Sequence, residues 1–135
     1  MKFVINDKTT GKSYSKEVDN AKLTAITGKR IKDDFDGGII DLPGYKLKIT
    51  GGSDKNGFPM RSGIHGQARK RILLASGVGF NPKISGQRKR KSVSAETVTD
   101  SVAQLNCIVE KAGKQKIEDI FGAPKTEESE PKKKE

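Results

Sequence analysis

Glycine and proline interrupt this chain at such short intervals that no long helix fits between them. The 135 residues include 15 Gly and five Pro, and Ile and Val together outnumber Leu by 19 to six. β-Branched residues favour strands, whereas Gly and Pro favour the turns between strands. The pattern therefore predicts a mainly β fold built from short strands.

The spacing of these turns predicts six strands, each about five to eight residues long. The candidate strands are Lys2–Asn6, Ser13–Val18, Lys46–Thr50, Arg69–Ser76, Arg88–Val93 and Asn106–Glu110. One or two short helices are expected beside them, at Ala21–Ile26 with Asn20 as its cap, and at Gln115–Phe121. A single helical turn is expected over Asp100–Gln104. Six short strands favour a small six-stranded β-barrel, because closure leaves no exposed sheet edge.

The last 14 residues differ in composition from the rest of the chain. Residues 122–135 are rich in Lys, Glu and Pro and contain no large apolar side chain. Such a segment cannot bury enough apolar surface to offset the entropy of ordering it. The sequence thus predicts one domain over residues 1–121 and a disordered charged tail over residues 122–135.

The net charge of +10 comes entirely from residues 55–95, called here the basic segment. This segment carries ten Lys and Arg residues and no Asp or Glu, while basic and acidic residues cancel in the remainder. Such clustering indicates contact with a polyanion. The segment cannot form the amphipathic helix that membrane-binding segments usually use, because it is interrupted at Gly63, Gly66, Gly77, Gly79, Pro82 and Gly86. Nucleic acid is therefore the expected partner, and no membrane contact is expected.

Residue types that support catalysis or metal binding are scarce. The chain has one Cys, Cys107, and one His, His65, which excludes an internal disulfide and a CxxC metal site. Cys107 is expected in the core, and His65 is expected at the surface or against RNA. No apolar run reaches the roughly 18 residues of a membrane helix, and the N-terminus lacks a signal-peptide pattern. We expect an intracellular protein that is not an enzyme and uses no cofactor, metal or small-molecule substrate.

Four aspartates, Asp33, Asp34, Asp36 and Asp41, surround the Gly37-Gly38 pair. Aspartates beside glycines are typical of turns, because their side chains bond to nearby backbone amides. The alternative is a magnesium ion shared between these carboxylates and RNA phosphate.

The most unusual segment is Gly51–Met60, which fits none of the common phosphate or calcium motifs. A P-loop would need Lys and Ser or Thr where Phe58 and Pro59 stand, and a calcium loop starting at Asp54 would end on His65. The segment is interpreted as a strand ending in a glycine pair. Its backbone could take positive φ and approach a neighbouring strand or a phosphate closely.

The same segment resembles the signature of a known family. Ile49–Met60 reads aliphatic, small, Gly-Gly, any, Asp, two variable positions, Gly, any, Pro-Met, which is the hallmark of the six-e family of small-subunit ribosomal proteins. Similarity continues through Arg69–Leu74, Gly77–Phe80 and Gly86–Val93, and covers roughly residues 1–120. The length resembles that of archaeal members. The signature residues are Gly51, Gly52, Asp54, Gly57, Pro59 and Met60.

The resemblance implies an N-terminal β-barrel that binds ribosomal RNA in the small subunit of the cytoplasmic ribosome, beside other ribosomal proteins. We expect the RNA-binding residues to be Lys46, Lys48, Lys55, Arg61, Arg69, Lys70, Arg71, Lys83, Arg88, Lys89, Arg90 and Lys91. Aromatic residues near the basic segment are few (Tyr45, Phe58 and Phe80), so phosphate contact and RNA shape should dominate. The alternative function is a free regulatory protein that binds RNA or DNA off the ribosome.

Overall fold

The computed structural model describes residues 1–113 and 115–121, and over these residues the chain is mainly β. Its strands are β1 (Lys2–Asn6), β2 (Ser13–Glu17), β3 (Asp34–Asp36), β4 (Lys46–Asp54), β5 (Lys70–Leu74), β6 (Lys89–Val93) and β7 (Val102–Lys111). Short 3₁₀ helices span Asn20–Ala25 and Gly37–Ile40, and one α-helix, α1, spans Ile117–Phe121. The predicted tail lies outside the described residues.

The strands form two separate sheets. Five of them pair in the order β2-β1-β7-β4-β3, with β1 and β7 parallel and the other neighbours antiparallel. Strands β5 and β6 pair antiparallel with each other. The prediction of a closed six-stranded barrel is therefore wrong, since seven strands lie in two sheets and the larger sheet ends at β2 and β3. Strands β5 and β6 carry charges on both faces, so adding them to the larger sheet would bury several cations.

The main core lies on one face of the five-stranded sheet. The parallel register sets Phe3 beside Leu105 and Ile5 beside Cys107, and Leu47 and Ile49 follow on β4. These side chains are almost completely buried, together with Leu23, Ile26, Ile40 and Leu42 from the segments that cover the sheet. Burying an aliphatic or aromatic side chain of this size stabilises the fold by about 1.5–3 kcal/mol.

Several predicted boundaries differ from the structure. Strand β4 continues past Thr50 to Asp54, and β7 begins at Val102, so the helical turn expected over Asp100–Gln104 is wrong. Strand β3 was not predicted, because only Phe35 of its three residues is apolar. The helix expected over Ala21–Ile26 is a 3₁₀ helix over Asn20–Ala25. Its N-cap position is Asp19, not Asn20.

The glycine pair of the signature lies inside β4, where the register with β7 shifts between Ile49 and Gly51. Neither Gly51 nor Gly52 has positive φ, so that expectation is wrong, but the expectation of a close approach is confirmed at Gly52. A Cβ at Gly52 would lie 2.3 Å from the carbonyl oxygen of Gln104 on β7. The close neighbour is thus a strand of the same sheet, and β4 can pair with β7 here only without a side chain.

Strands β5 and β6 with their connection, residues 70–93, form a projecting unit called here the basic hairpin. Leu74 and Val93 of this hairpin pack with Ile64 and Ala95, which flank it, in a small second core. Backbone hydrogen bonds tie the hairpin to the end of the signature, from the Arg61 amide to the Ser94 carbonyl (3.2 Å) and from the Ser94 amide to the Pro59 carbonyl (2.9 Å). Within the described residues, the helices are too short to cross a membrane.

Substituting Gly52→Ala should lower the free energy of unfolding by about 1–3 kcal/mol, because its Cβ would collide with backbone that cannot move aside independently. Denaturation in guanidinium chloride measures the change. The matched control is Gly51→Ala, where a Cβ meets nothing within 4 Å and the change should stay within about 0.5 kcal/mol. Equal destabilisation of the two variants would contradict the close approach of β7 to β4 at Gly52.

Candidate nucleic-acid interface

The signature forms a tight reversal at the end of β4. The Gly57 amide donates to the Asp54 carbonyl (2.8 Å) and the Asp54 amide donates to the Phe58 carbonyl (2.9 Å). Gly57 has φ of +82°, a conformation that suits glycine. The Met60 amide then donates to the Gly52 carbonyl (2.9 Å), and the Met60 side chain is buried. The chain leaves this turn toward the basic hairpin.

Asp54, the fixed carboxylate of the signature, binds an arginine of the basic segment. Its side chain is only 6% exposed, and it accepts hydrogen bonds from the Arg69 guanidinium and from the Lys55 amide. The Arg69 guanidinium also stacks over the Phe58 ring, with Cζ 4.3 Å from the ring centroid. The hydrogen bond from Arg69 holds the pKa of Asp54 below its ordinary value, although burial opposes this.

A second buried carboxylate, Glu96, lies at the other end of the basic segment. It accepts a hydrogen bond from the Gly63 amide (3.0 Å), and the His65 Nδ1 lies 2.7 Å from its Oε1. The Arg30 guanidinium lies 3.9 Å from the same oxygen. The Gly63 amide and then the His65 ring lower the pKa of Glu96 from its ordinary value.

These two carboxylates are the residues that bound the basic segment in sequence, just before Lys55 and just after Ala95. Both interact with residues between Lys55 and Arg69, at the end of the hairpin where β5 begins and β6 ends, called here its base. Neither carboxylate therefore pairs with the cations of the hairpin beyond this end. A segment without internal acids thus keeps an uncompensated positive charge at its projecting end.

Side chains alternate along β5 and β6, which divides the charges between two faces. Lys89 and Lys91 stand opposite Leu74 and Ile72, on the face that carries the small core. Arg90 stands opposite Leu73, and Arg71 stands opposite Ser92, on the other face. Charged side chains therefore lie on both faces of β6.

Of the predicted RNA-binding residues, six project from the basic hairpin without an ion pair among the described residues. All six side chains are exposed: Arg71, Lys83, Arg88, Lys89, Arg90 and Lys91. The structure brings these residues together, as the clustering in sequence predicted. Their contact with RNA remains a prediction.

Three other cations of the basic segment are used within the protein. Arg61 donates to the carbonyls of Ser76 (3.4 Å) and Val78 (2.8 Å), and Lys70 donates to the carbonyl of His65 (3.1 Å). Arg69 is held by Asp54. These hydrogen bonds shape the basic hairpin, and they leave fewer donors on these side chains for phosphate.

The remaining three predicted residues lie on β4 or just after it. Lys48 Nζ is 3.6 Å from Glu110 and 4.0 Å from Asp34, so two carboxylates already offset its charge. Lys46 is exposed at the start of β4, roughly 26 Å along the strand from Asp54 at about 3.3 Å per residue. Lys55 is exposed in the signature turn, and its amide donates to the Ser101 carbonyl (2.9 Å).

The other residues singled out in the sequence have structural positions. Burial raises the pKa of the Cys107 thiol to about 12, so this core cysteine stays protonated at neutral pH. Tyr45 is buried and its hydroxyl donates to the Gln115 carbonyl. Phe58 is covered on one face by Arg69, which leaves the half-buried Phe80 as the aromatic ring beside the uncompensated cations.

The four aspartates serve turns and ion pairs. Asp36 caps the second 3₁₀ helix by accepting from the Gly38 amide (3.1 Å), and Asp33 accepts from the Arg30 amide (2.8 Å). Asp41 pairs with Lys16 (2.8 Å) and Lys22 (3.1 Å). In residues 1–113 and 115–121, no three Asp, Glu, His or Cys side chains converge in a way that could hold a metal ion.

Sequence reasoning missed Glu96 as a positioning residue. The signal that could have found it is a single acid within Val93–Val98, a run of otherwise small and apolar residues. A charge in such a run is expected to be buried and paired, since an unpaired buried charge is costly.

Comparison with known proteins gives a consistent result. Residues 1–122 match the family model described as Ribosomal protein S6e. The chain is similar to proteins named small ribosomal subunit protein eS6, with 48% identity to that of Archaeoglobus fulgidus over 121 residues, 89% of this chain and 94% of the relative. The corresponding protein of Methanothermobacter thermautotrophicus is 47% identical over 122 residues, 90% and 95% of the two chains. That of Methanocaldococcus jannaschii is 46% identical over 121 residues, 90% of each chain.

Acidification should loosen the base of the basic hairpin. The pKa values of Asp54 and Glu96 are lowered by folding, so their contribution to stability is present above their unfolded values near 4 and is lost as the pH falls through the folded values. The free energy of unfolding should therefore decrease from pH 6 to pH 3.

The variant Asp54→Asn tests this assignment. It should be less stable than the wild type at pH 6 by about 1–3 kcal/mol, because Arg69 loses its charged acceptor. Its loss of stability between pH 6 and pH 3 should be smaller than that of the wild type. Urea denaturation at each pH gives both values, and parallel curves for the two proteins would refute the role of Asp54.

Proposed function

The chain belongs to the ribosomal protein S6e family, and from that premise we propose that it is a structural, non-enzymatic constituent of the small ribosomal subunit that binds ribosomal RNA through the basic hairpin. The RNA-binding domain spans residues 1–121, and the protein acts in translation within the cytoplasmic ribosome. Its partners are ribosomal RNA of the small subunit and neighbouring ribosomal proteins.

One observation carries the RNA-binding part of this proposal. Six exposed cations project from one hairpin, and within the described residues no carboxylate pairs with them. Lone surface charges usually contribute little to stability, and mutual repulsion among six of them opposes folding. Such an arrangement is favourable when RNA phosphates supply the missing negative charge.

The two faces of the basic hairpin support contact with RNA on both sides. Arg71 and Arg90 present planar guanidinium groups, which pair with phosphate oxygens in a bidentate way. Lys89 and Lys91 on the opposite face act as compact point charges. A hairpin charged on both faces can lie between two RNA segments and offset the repulsion between their backbones.

The fold favours recognition of phosphates and RNA shape over reading of duplex DNA. Within the described residues the one α-helix, α1, has five residues and lies outside the basic hairpin. A helix that reads the major groove of DNA places several side chains against base edges, which five residues do not provide. Free regulatory binding to RNA off the ribosome remains the alternative function.

Sedimentation distinguishes these functions. Cell extract is separated on sucrose gradients at increasing salt, and the chain is followed by immunoblot. An integral constituent should migrate with the small subunit and remain there in moderate salt. Recovery mainly at the top of the gradient would contradict the structural role and support the free binder.

The RNA-binding surface is tested by replacing Arg88, Lys89, Arg90 and Lys91 with Gln. Affinity for purified small-subunit ribosomal RNA should fall, and the slope of log affinity against log salt should shrink by roughly 0.7–0.9 for each phosphate that the variant no longer neutralises. Filter binding from 50 to 300 mM KCl measures both quantities. Thermal unfolding should change little, since these side chains are exposed.

The matched control replaces four exposed lysines outside the basic segment, Lys2, Lys8, Lys111 and Lys116, with Gln. Both variants lower the net charge by four, so a general effect of charge would weaken them equally. The proposal requires the hairpin variant to show a much larger drop in affinity and in salt dependence than the control. Equal effects would place the RNA-binding surface elsewhere.

A further inference from the structure

An open cleft of about 640 Å³ lies on the core-bearing face of the basic hairpin. Its lining includes three lysines, Lys83, Lys89 and Lys91, and the side chains of Val78 and Phe80. Two amide side chains, Asn81 and Gln87, complete the polar part of the lining, and no carboxylate lines it.

The cleft is shaped by hydrogen bonds within the basic hairpin and by one from Arg61, which precedes it. The Arg61 guanidinium donates to the Val78 carbonyl (2.8 Å), and Gly77 and Phe80 form an isolated bridge closed by a 3.0 Å backbone hydrogen bond. Gly79 has φ of +93°, and a Cβ there would come within 3.1 Å of Val93 Cγ1. On the far side, Gln87 Oε1 accepts from the Lys83 amide (3.0 Å). The loop is thus held in place on both sides of the cleft.

The chemistry of the lining differs from that of a plain phosphate-binding surface. Lysines alone would suffice to bind phosphates along a duplex, but this cleft also offers apolar surface and neutral amides. Val78 is 56% exposed and contributes apolar surface to the cleft. Apolar surface suits the face of a base, amides suit its hydrogen-bonding edge, and ammonium groups suit the adjoining phosphates.

We propose that this cleft receives one unpaired nucleotide of RNA, with its base against Phe80 and Val78 and its phosphates near Lys83, Lys89 and Lys91. This inference deepens the proposed function and rests on it. The cleft volume falls within the roughly 300–1,000 Å³ typical of sites for small ligands. A paired base in A-form RNA is stacked within the helix, whereas a bulged base can leave the stack and enter the cleft.

The preference is tested with two synthetic RNA hairpins of identical stem and loop, one of which carries a single bulged uridine. The wild-type protein should bind the bulged hairpin about five- to a hundredfold more tightly, the range expected for one base stacked on an aromatic ring. Fluorescence anisotropy at 150 mM KCl measures both dissociation constants. A second pair of hairpins, with and without a bulged adenosine, should show the same preference for the bulged RNA, because stacking tolerates any base.

Two variants assign the preference to the cleft. Phe80→Leu keeps an apolar side chain against the small core but removes the ring, and Asn81→Ala removes an exposed amide. Each should reduce the preference for the bulged hairpin while leaving affinity for the fully paired one nearly unchanged. The control, Arg71→Gln on the opposite face, should weaken binding of both RNAs by a similar factor.

A crosslinking measurement on the wild-type protein avoids any dependence on variant folding. With 4-thiouridine at the bulge, irradiation followed by mass spectrometry should place the crosslink within residues 77–91. A crosslink elsewhere, or equal affinity of the wild type for the bulged and paired hairpins, would overturn the cleft inference and leave the proposed function standing. Failure to bind either hairpin or ribosomal RNA would overturn the proposed function as well.

Discussion

The basic hairpin depends on two buried carboxylates at its base. Ten cations in a segment without acids repel one another, and this repulsion alone would favour an extended chain. Asp54 holds Arg69, and Glu96 holds the Gly63 amide and His65, so the segment is attached at both ends. Because both carboxylates are shielded from water and have several donors, their hydrogen bonds are of the strong, charge-assisted kind.

This arrangement separates cations that build the protein from cations that remain available. Arg61, Arg69 and Lys70 bond to groups of the protein and determine where the chain runs. The side chains farther along the hairpin have no such partners among the described residues. They are exposed on both faces of a strand pair that shares a small second core with Ile64 and Ala95. Stability and binding therefore use different members of one charged cluster, and the same residue type serves either role depending on whether an acceptor is nearby.

Much of the fold class followed from local pattern. Six of the seven strands, β1, β2, β4, β5, β6 and β7, are predicted within a few residues at one end at least, because closely spaced turn residues limit where a strand can run. Closure into a barrel was predicted incorrectly, since closure depends on which strands pair, and pairing is a non-local property. The continuation of β4 through Gly51 and Gly52 was also missed, because only the close approach of β7 shows why the side chains are absent.

For the candidate site, too, some properties follow from the sequence and others only from the folded structure. The sequence by itself determined that the net charge lies in residues 55–95, that this segment contains no acid, and that the Ile49–Met60 signature precedes most of it. These properties depend on composition and order along the chain. Only the tertiary structure decided which cations are consumed by internal acceptors, that Glu96 returns to the base of the hairpin, and that Phe80 shares a cleft with three lysines. The physical reason is that hydrogen bonds and ion pairs act over a few ångströms, and the chain brings residues that are 15 to 33 positions apart within that range only when it folds.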